Sequence, residues 1–202
     1  MAIRYFGIDG VHGIGWVCFL GFVICWFAGD MTWIVQEMVL HIEPYLSVSD
    51  IFYLSGYPFL LMFTISYIIP FRDAVPKLML MISVCLSIIL VVLSIHMIGI
   101  PDIAFDTVLS IAYPVFDGII LVPVILGLYL FFKSKTDMMW SLILFGILAT
   151  FTGDLIFSYM ESSNIYHTGN IMELAFFWSY ILLIFGVYHH KKTMSILRTN
   201  SL

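Results

Sequence analysis

Six stretches of this sequence stay apolar over a length that crosses a lipid bilayer: residues 14–38, 50–70, 75–98, 104–132, 138–160 and 168–188. A hydrocarbon layer about 30 Å thick takes roughly 20 residues of helix. Lipid offers no partner to a bare amide or carbonyl, and a helix satisfies its backbone within one segment. The expected fold class is therefore all-α integral membrane, with six transmembrane helices. Only 10% of the residues are charged and 62% are hydrophobic, whereas a water-soluble domain carries roughly 25% charged residues. One core cannot hold that much apolar surface, so the rest must face lipid.

The joins are short: "PFRDAVPK", "GIPD", "KSKTD" and "ESSNIYHTGN". A single transmembrane domain over residues 1–202 is expected, with no soluble catalytic module. No small-residue cleavage site precedes the first apolar run, which reads as a retained anchor. The basic residues Arg4, Arg72, Lys77, Lys133, Lys135, Lys191, Lys192 and Arg198 fall in the N-terminus, the second and fourth loops and the tail. The first, third and fifth loops have none. The positive-inside rule then predicts both termini in the cytoplasm.

A repeat lies over these spans. Asp50 is followed seven residues later by Tyr57-Pro58, and Asp106 by Tyr113-Pro114 at the same spacing. Glu173 stands seven residues before Tyr180. On the outgoing helices, "FAGDMTW" carries Asp30, 20 residues before Asp50, and "FTGDLIFSY" carries Asp154, 19 before Glu173. The third span lacks Gly-Asp and has Ser87 in the matching region. We read three pseudo-repeated two-helix hairpins, the middle one degenerate. Each hairpin then places an acid at the outer start of its returning helix, where free amides and the macrodipole favour negative charge. The tyrosine at plus seven lies two turns deeper on the same face, and the prolines kink spans two and four.

Asp30, Asp117 and Asp154 are predicted inside spans. Asp117 lies 11 residues below Asp106, about 16 Å along a helix. A carboxylate at that depth is costly and turns to the bundle interior or to water, and no Lys or Arg lies inside a span to pair with it, Lys77 standing at the start of the third. Two readings stand: protonated interhelical glue, or a ligand, ion or proton site. The predicted polar core is Asp30, Asp50, Asp106, Asp117, Asp154 and Glu173, supported by Tyr57, Tyr113, Tyr180 and Trp33. His41, His96 and His167 map to the outer face, one per hairpin. They are interfacial histidines or, beside carboxylates, candidate ligands for a transition metal. Cys18, Cys25 and Cys85 read as packed thiols. No motif names a cofactor, no catalytic motif such as HExxH, GxSxG, GxGxxG or a P-loop is present, and no basic patch suggests nucleic acid.

The segment "WFAGDMTWIVQEMVLHIEPYLSVSDIFYLSGYPFLL" resembles the multi-pass membrane region at the N-termini of archaeal and bacterial histidine kinases and diguanylate cyclases. Such regions carry W-x-x-G-D-x-x-W, then P-Y-P-S-x-x-D-x-F-Y-L, then Y-P. Here these are Trp26, Gly29, Asp30 and Trp33; Pro44, Tyr45, Ser47, Asp50, Phe52, Tyr53 and Leu54; Tyr57 and Pro58. Leu46 replaces the second Pro, and no kinase, cyclase or PAS-like segment follows. The resemblance implies a sensory input module in a prokaryotic cell membrane, whose partners are the bilayer and a histidine kinase or other signalling protein. A small proton or cation transporter using the intramembrane carboxylates is one alternative. An intramembrane lipid-hydrolysing enzyme using Asp30 and Asp154 is another.

Overall fold

A computed structural model describes residues 11–42, 47–98, 105–133, 138–163 and 165–199. It is all-helical, and six of its helices are long and apolar enough to cross a membrane. They are α1 (Val11–Ile34), α2 (Val48–Ile68), α3 (Lys77–Ile98), α4 (Phe105–Lys133), α5 (Met138–Ser162) and α6 (Leu174–Thr199). Each overlaps one of the predicted apolar stretches, with ends that differ by up to six residues at the starts and by more at the end of α6. The Pro44–Leu46 part of the motif lies outside the described residues.

The ends of the helices follow local chemistry. α1 runs on into a π-helical turn, Val35–Val39, and His41 at φ 53° closes it. A non-glycine residue in the left-handed region is uncommon and here acts as a helix stop. α2 opens on a capping box: the Ser47 side chain caps the first turn and the Asp50 carboxylate takes the Ser47 amide at 2.6 Å. That box satisfies amides which a helix start otherwise leaves bare. α2 leaves through a short 3-10 turn, Ile69–Ala74, and α6 is entered through another, Ile171–Glu173, capped by Asn170.

Sequential helices pack most extensively, α1 on α2, α3 on α4 and α5 on α6, with further seams between α2 and α4, α4 and α5, and α3 and α5. α4 is the most enclosed helix and α3 the most exposed. α3 turns Leu78, Met81, Ile88 and Val92 outward and keeps its serines inward. Ser83, Ser87 and Ser94 are buried along one stripe, and Ser87 donates to the Gly118 carbonyl of α4 at 2.6 Å. Small residues in such a stripe let two helices meet closely where burying apolar surface gives no advantage over lipid. The exposed apolar faces of all six helices suit lipid, not water.

The core has two halves. Toward the end of the bundle that holds Arg72, Lys77 and Lys192, aromatic rings pack on one another: Trp16, Phe19, Phe63, Tyr67, Phe131 and Trp140. His190 of α6 stacks on Trp16 of α1 with ring centroids 4.9 Å apart. Toward the opposite end, where Glu37, Asp50 and Glu173 lie, the core is polar.

The α3–α4 weld gives a direct test. A Cβ on Gly118 would run into Val91 Cγ2 and close on Ser87 Oγ, so Gly118→Ala must shift the side chains that join the two helices. Overpacking of this kind costs about 1–3 kcal/mol. Thermal unfolding in detergent should show a midpoint lowered by several degrees; an unchanged midpoint would mean that α3 is free to shift.

Candidate functional site: a tyrosine–carboxylate network

The polar half is built from hydrogen bonds that cross between helices. Tyr57 of α2 donates to Asp117 Oδ1 of α4 at 2.7 Å. Tyr113 of α4 donates back to Asp50 Oδ1 of α2. Tyr180 of α6 donates to Asp30 of α1, 3.2 Å from Oδ1 and 3.0 Å from Oδ2. All three tyrosines of the plus-seven repeat thus donate to a carboxylate on another helix. None donates to the acid that precedes it in its own repeat, because seven residues of helix separate the two along the axis. The Tyr57 and Tyr113 rings meet edge-on with centroids 6.2 Å apart.

A fourth donor was not anticipated from the sequence. Tyr53 of α2 gives its hydroxyl to Asp30 Oδ1 at 2.9 Å. It reaches α1 by lying across Gly29: a Cβ there would sit 2.5 Å from Tyr53 Cε1. The glycine of Gly29-Asp30 therefore makes room for the ring that satisfies the aspartate. The signal was available, since Tyr53 lies one turn after Asp50 on the face that carries Tyr57.

Gly153-Asp154 on α5 repeats this arrangement with one difference. The ring across Gly153 belongs to Phe176 of α6, whose Cε1 would meet a Cβ at 2.8 Å. Phe176 stands three residues after Glu173, as Tyr53 does after Asp50. It has no hydroxyl to give. Asp154 Oδ2 is enclosed and has no hydrogen-bond partner. Asp154 instead faces Asp117 across a cavity of about 30 Å³ between α3, α4 and α5, whose lining includes Ser94, Pro114, Gly118 and Ser158. Tyr57, Tyr113 and Tyr180 lie within electrostatic reach of Asp154.

The remaining predicted residues have other roles. Asp106 falls in the first turn of α4, with its side chain outside the described residues. Glu173 does not join the network: its Oε1 accepts the Gly169 amide at 2.8 Å and the Tyr166 hydroxyl at 3.3 Å, which shapes the α5–α6 loop. Burial first, and then the Glu173 charge, push the Tyr166 phenol up to about 12, so it stays a donor across the ordinary pH range. Trp33 donates to Glu37 at 3.2 Å, and its ring meets Phe157 of α5 edge-on. Glu37 also accepts the Thr168 hydroxyl, tying α1 to the α5–α6 loop. Buried Gln36 takes the Ser47 hydroxyl at 2.9 Å, tying the π-helical turn to the start of α2.

The three candidate metal histidines do not assemble. His41 ends the π-helical turn, and His96 and His167 are exposed on α3 and in the α5–α6 loop. Among the described residues no three His, Cys, Asp or Glu side chains gather as a metal-ligand group. Their spacing placed them at one end of the bundle but could not say which way each ring points.

Asp30 supplies the quantitative test. Removing either hydroxyl, by Tyr53→Phe or Tyr180→Phe, should cost about 0.6–1.7 kcal/mol, the range found for hydrogen bonds between membrane helices. The double variant should cost more than the sum, because it strands the carboxylate. Reversible unfolding of the four proteins in mixed micelles forms a double-mutant cycle; strict additivity would show that the two donors act independently. Compared with family models, with curated proteins and with solved structures, the chain returns no match.

Proposed function

We propose that the chain is a membrane sensory module with three pseudo-repeated hairpins, both termini cytoplasmic, and its polar core in the outer half of the bilayer. The carrying observation is that the tyrosines at 57, 113 and 180 each donate to a carboxylate on a different helix. In this reading, a ligand or ion that alters one carboxylate changes which donors it holds. The change is felt between helices rather than within one. α2 carries Pro58 and α4 carries Pro114 and Pro123, and prolines in such helices permit local bending because neighbouring groups satisfy the freed carbonyls. Bending at those points would carry the change past the aromatic half to the basic end, where a cytoplasmic signalling protein such as a histidine kinase would read it.

A specific observation favours a second reading, cation transport. The cavity between Asp117 and Asp154 gives two carboxylates in a span a shared space, as a cation pathway needs.

Proximity labelling from the C-terminus in native membranes separates the two. The sensory reading expects a kinase, cyclase or response regulator to be labelled, and expects Asp30→Asn to abolish that partner's response while the protein stays folded. Absence of any signalling protein, together with cation flux in proteoliposomes that Asp117→Asn abolishes, would replace it with transport.

A further inference from the structure

We propose that the cavity between α3, α4 and α5 is a binding site for one dehydrated monovalent cation of sodium size, held by Asp117 and Asp154. Its lining oxygens present lone pairs and few hydrogens. Ser94 Oγ gives its hydrogen to the Leu90 carbonyl at 2.9 Å, and Ser158 Oγ gives its own to the Asp154 carbonyl at 2.8 Å. Both hydroxyls therefore meet the cavity as acceptors. Asp117 has one oxygen on the Tyr57 hydroxyl. Asp154 Oδ2 is enclosed and unpartnered, and an unsatisfied carboxylate oxygen in a low-dielectric interior is among the most costly groups a fold can hold. A site made of acceptors, with two carboxylates and no Lys or Arg between residues 78 and 132 or 136 and 190, selects a cation.

Size and ligand number narrow the choice. A cavity of about 30 Å³ has room for about two water molecules or for one small ion with a water. Magnesium keeps several waters, more than this space admits, and calcium takes about 6–8 oxygens, whereas the two carboxylates and two hydroxyls, with one Asp117 oxygen already on Tyr57, leave at most five. A small monovalent ion fits, alone or with one water.

The missing hydroxyl of Phe176 belongs to the same argument. At the matching place on α1, Tyr53 fills the acceptor demand of Asp30. Phe176 leaves that demand on Asp154 open, which is what a cation site requires and a purely structural repeat does not.

Protons compete for the same oxygens. The titratable groups facing the pair are Tyr57 of α2, Tyr113 of α4 and Tyr180 of α6, with Asp50 and Asp30 behind the last two. α3 contributes Leu90 and Ser94 to the lining, neither of them titratable, and its His96 is exposed.

This site deepens the sensory reading by naming the signal, and rests on that reading only for the consequence of binding. The test uses the full chain in micelles, in sodium chloride against choline chloride at constant ionic strength and mildly alkaline pH. The unfolding midpoint should rise with the logarithm of sodium concentration, as for any ligand specific to the folded state. Lowering the pH by one unit should raise the half-effective sodium concentration by up to tenfold. Asp154→Asn should remove the dependence. Phe176→Tyr, which keeps both carboxyls and supplies a donor, should fold at least as well and weaken the sodium effect by about tenfold or more. A wild-type midpoint indifferent to sodium, a sodium effect retained in Asp154→Asn, or an equal effect of calcium would overturn the proposal. Spin labels on the exposed positions Asp73→Cys and Met138→Cys, in a background free of other cysteines, then report the basic end. A sodium-dependent distance there supports signalling; binding without it leaves the site standing and removes the sensory reading.

Discussion

The whole arrangement turns on the cost of a carboxylate that has left water. On insertion scales an aspartate at the centre of a membrane helix costs about 3 kcal/mol, and this chain keeps its Lys and Arg at the ends of its spans, with none beside these acids in the sequence to offset it. Tyrosine is the remaining strong donor that lipid tolerates, with an apolar ring and one hydroxyl. Each tyrosine that reaches an aspartate must come from a neighbouring helix, so satisfying the acid also fixes which helices touch. Asp50 shows both effects. One oxygen closes the first turn of α2 through the Ser47 amide, and the other holds α4 through Tyr113.

The two halves of the core then differ in kind. Rings such as Tyr67, Trp140 and Phe131 interlock by shape, and a packed cluster resists small displacements because interiors are dense. Hydrogen bonds in the other half can be exchanged, since a hydroxyl that loses one carboxylate can take up another within reach. Tyr180 already spans both oxygens of Asp30. On the proposed sensory reading, a change would start in the exchangeable half and pass to the interlocked one.

Much of this was legible in the sequence, and what was not has a physical cause. Apolar length gave six helices, because lipid enforces the same rule on every span. The plus-seven tyrosines marked the right donors, since helical periodicity says which residues share a face. Periodicity cannot say which helix that face meets. Tyr57 reaches Asp117 on α4, not an acid of its own hairpin, and only the packing of α2 on α4 decides that. Glu173 had the same spacing as Asp50 and still serves the α5–α6 loop, because a 3-10 turn, not a capped α-helix, carries it. The histidines failed for a related reason: position along a helix axis was readable, direction around it was not.

The asymmetry between Tyr53 and Phe176 is the deeper point. On the repeat reading, a structural purpose alone would favour the same donor at both places, because each Gly-Asp poses the same problem. The chain solves it on α1 with two hydroxyls and leaves it open on α5, beside the second carboxylate of Asp117. On the same reading the middle hairpin would depart in the other direction, with Ser87 in the place of the acid; Ser87 spends its hydrogen on the α4 backbone. One copy is satisfied, one is neutral and one is left with an acceptor to fill. A stability difference of about 1 kcal/mol is readily removed by a single Phe-to-Tyr change, and the proposed cation site accounts for the acceptor that this chain leaves unfilled.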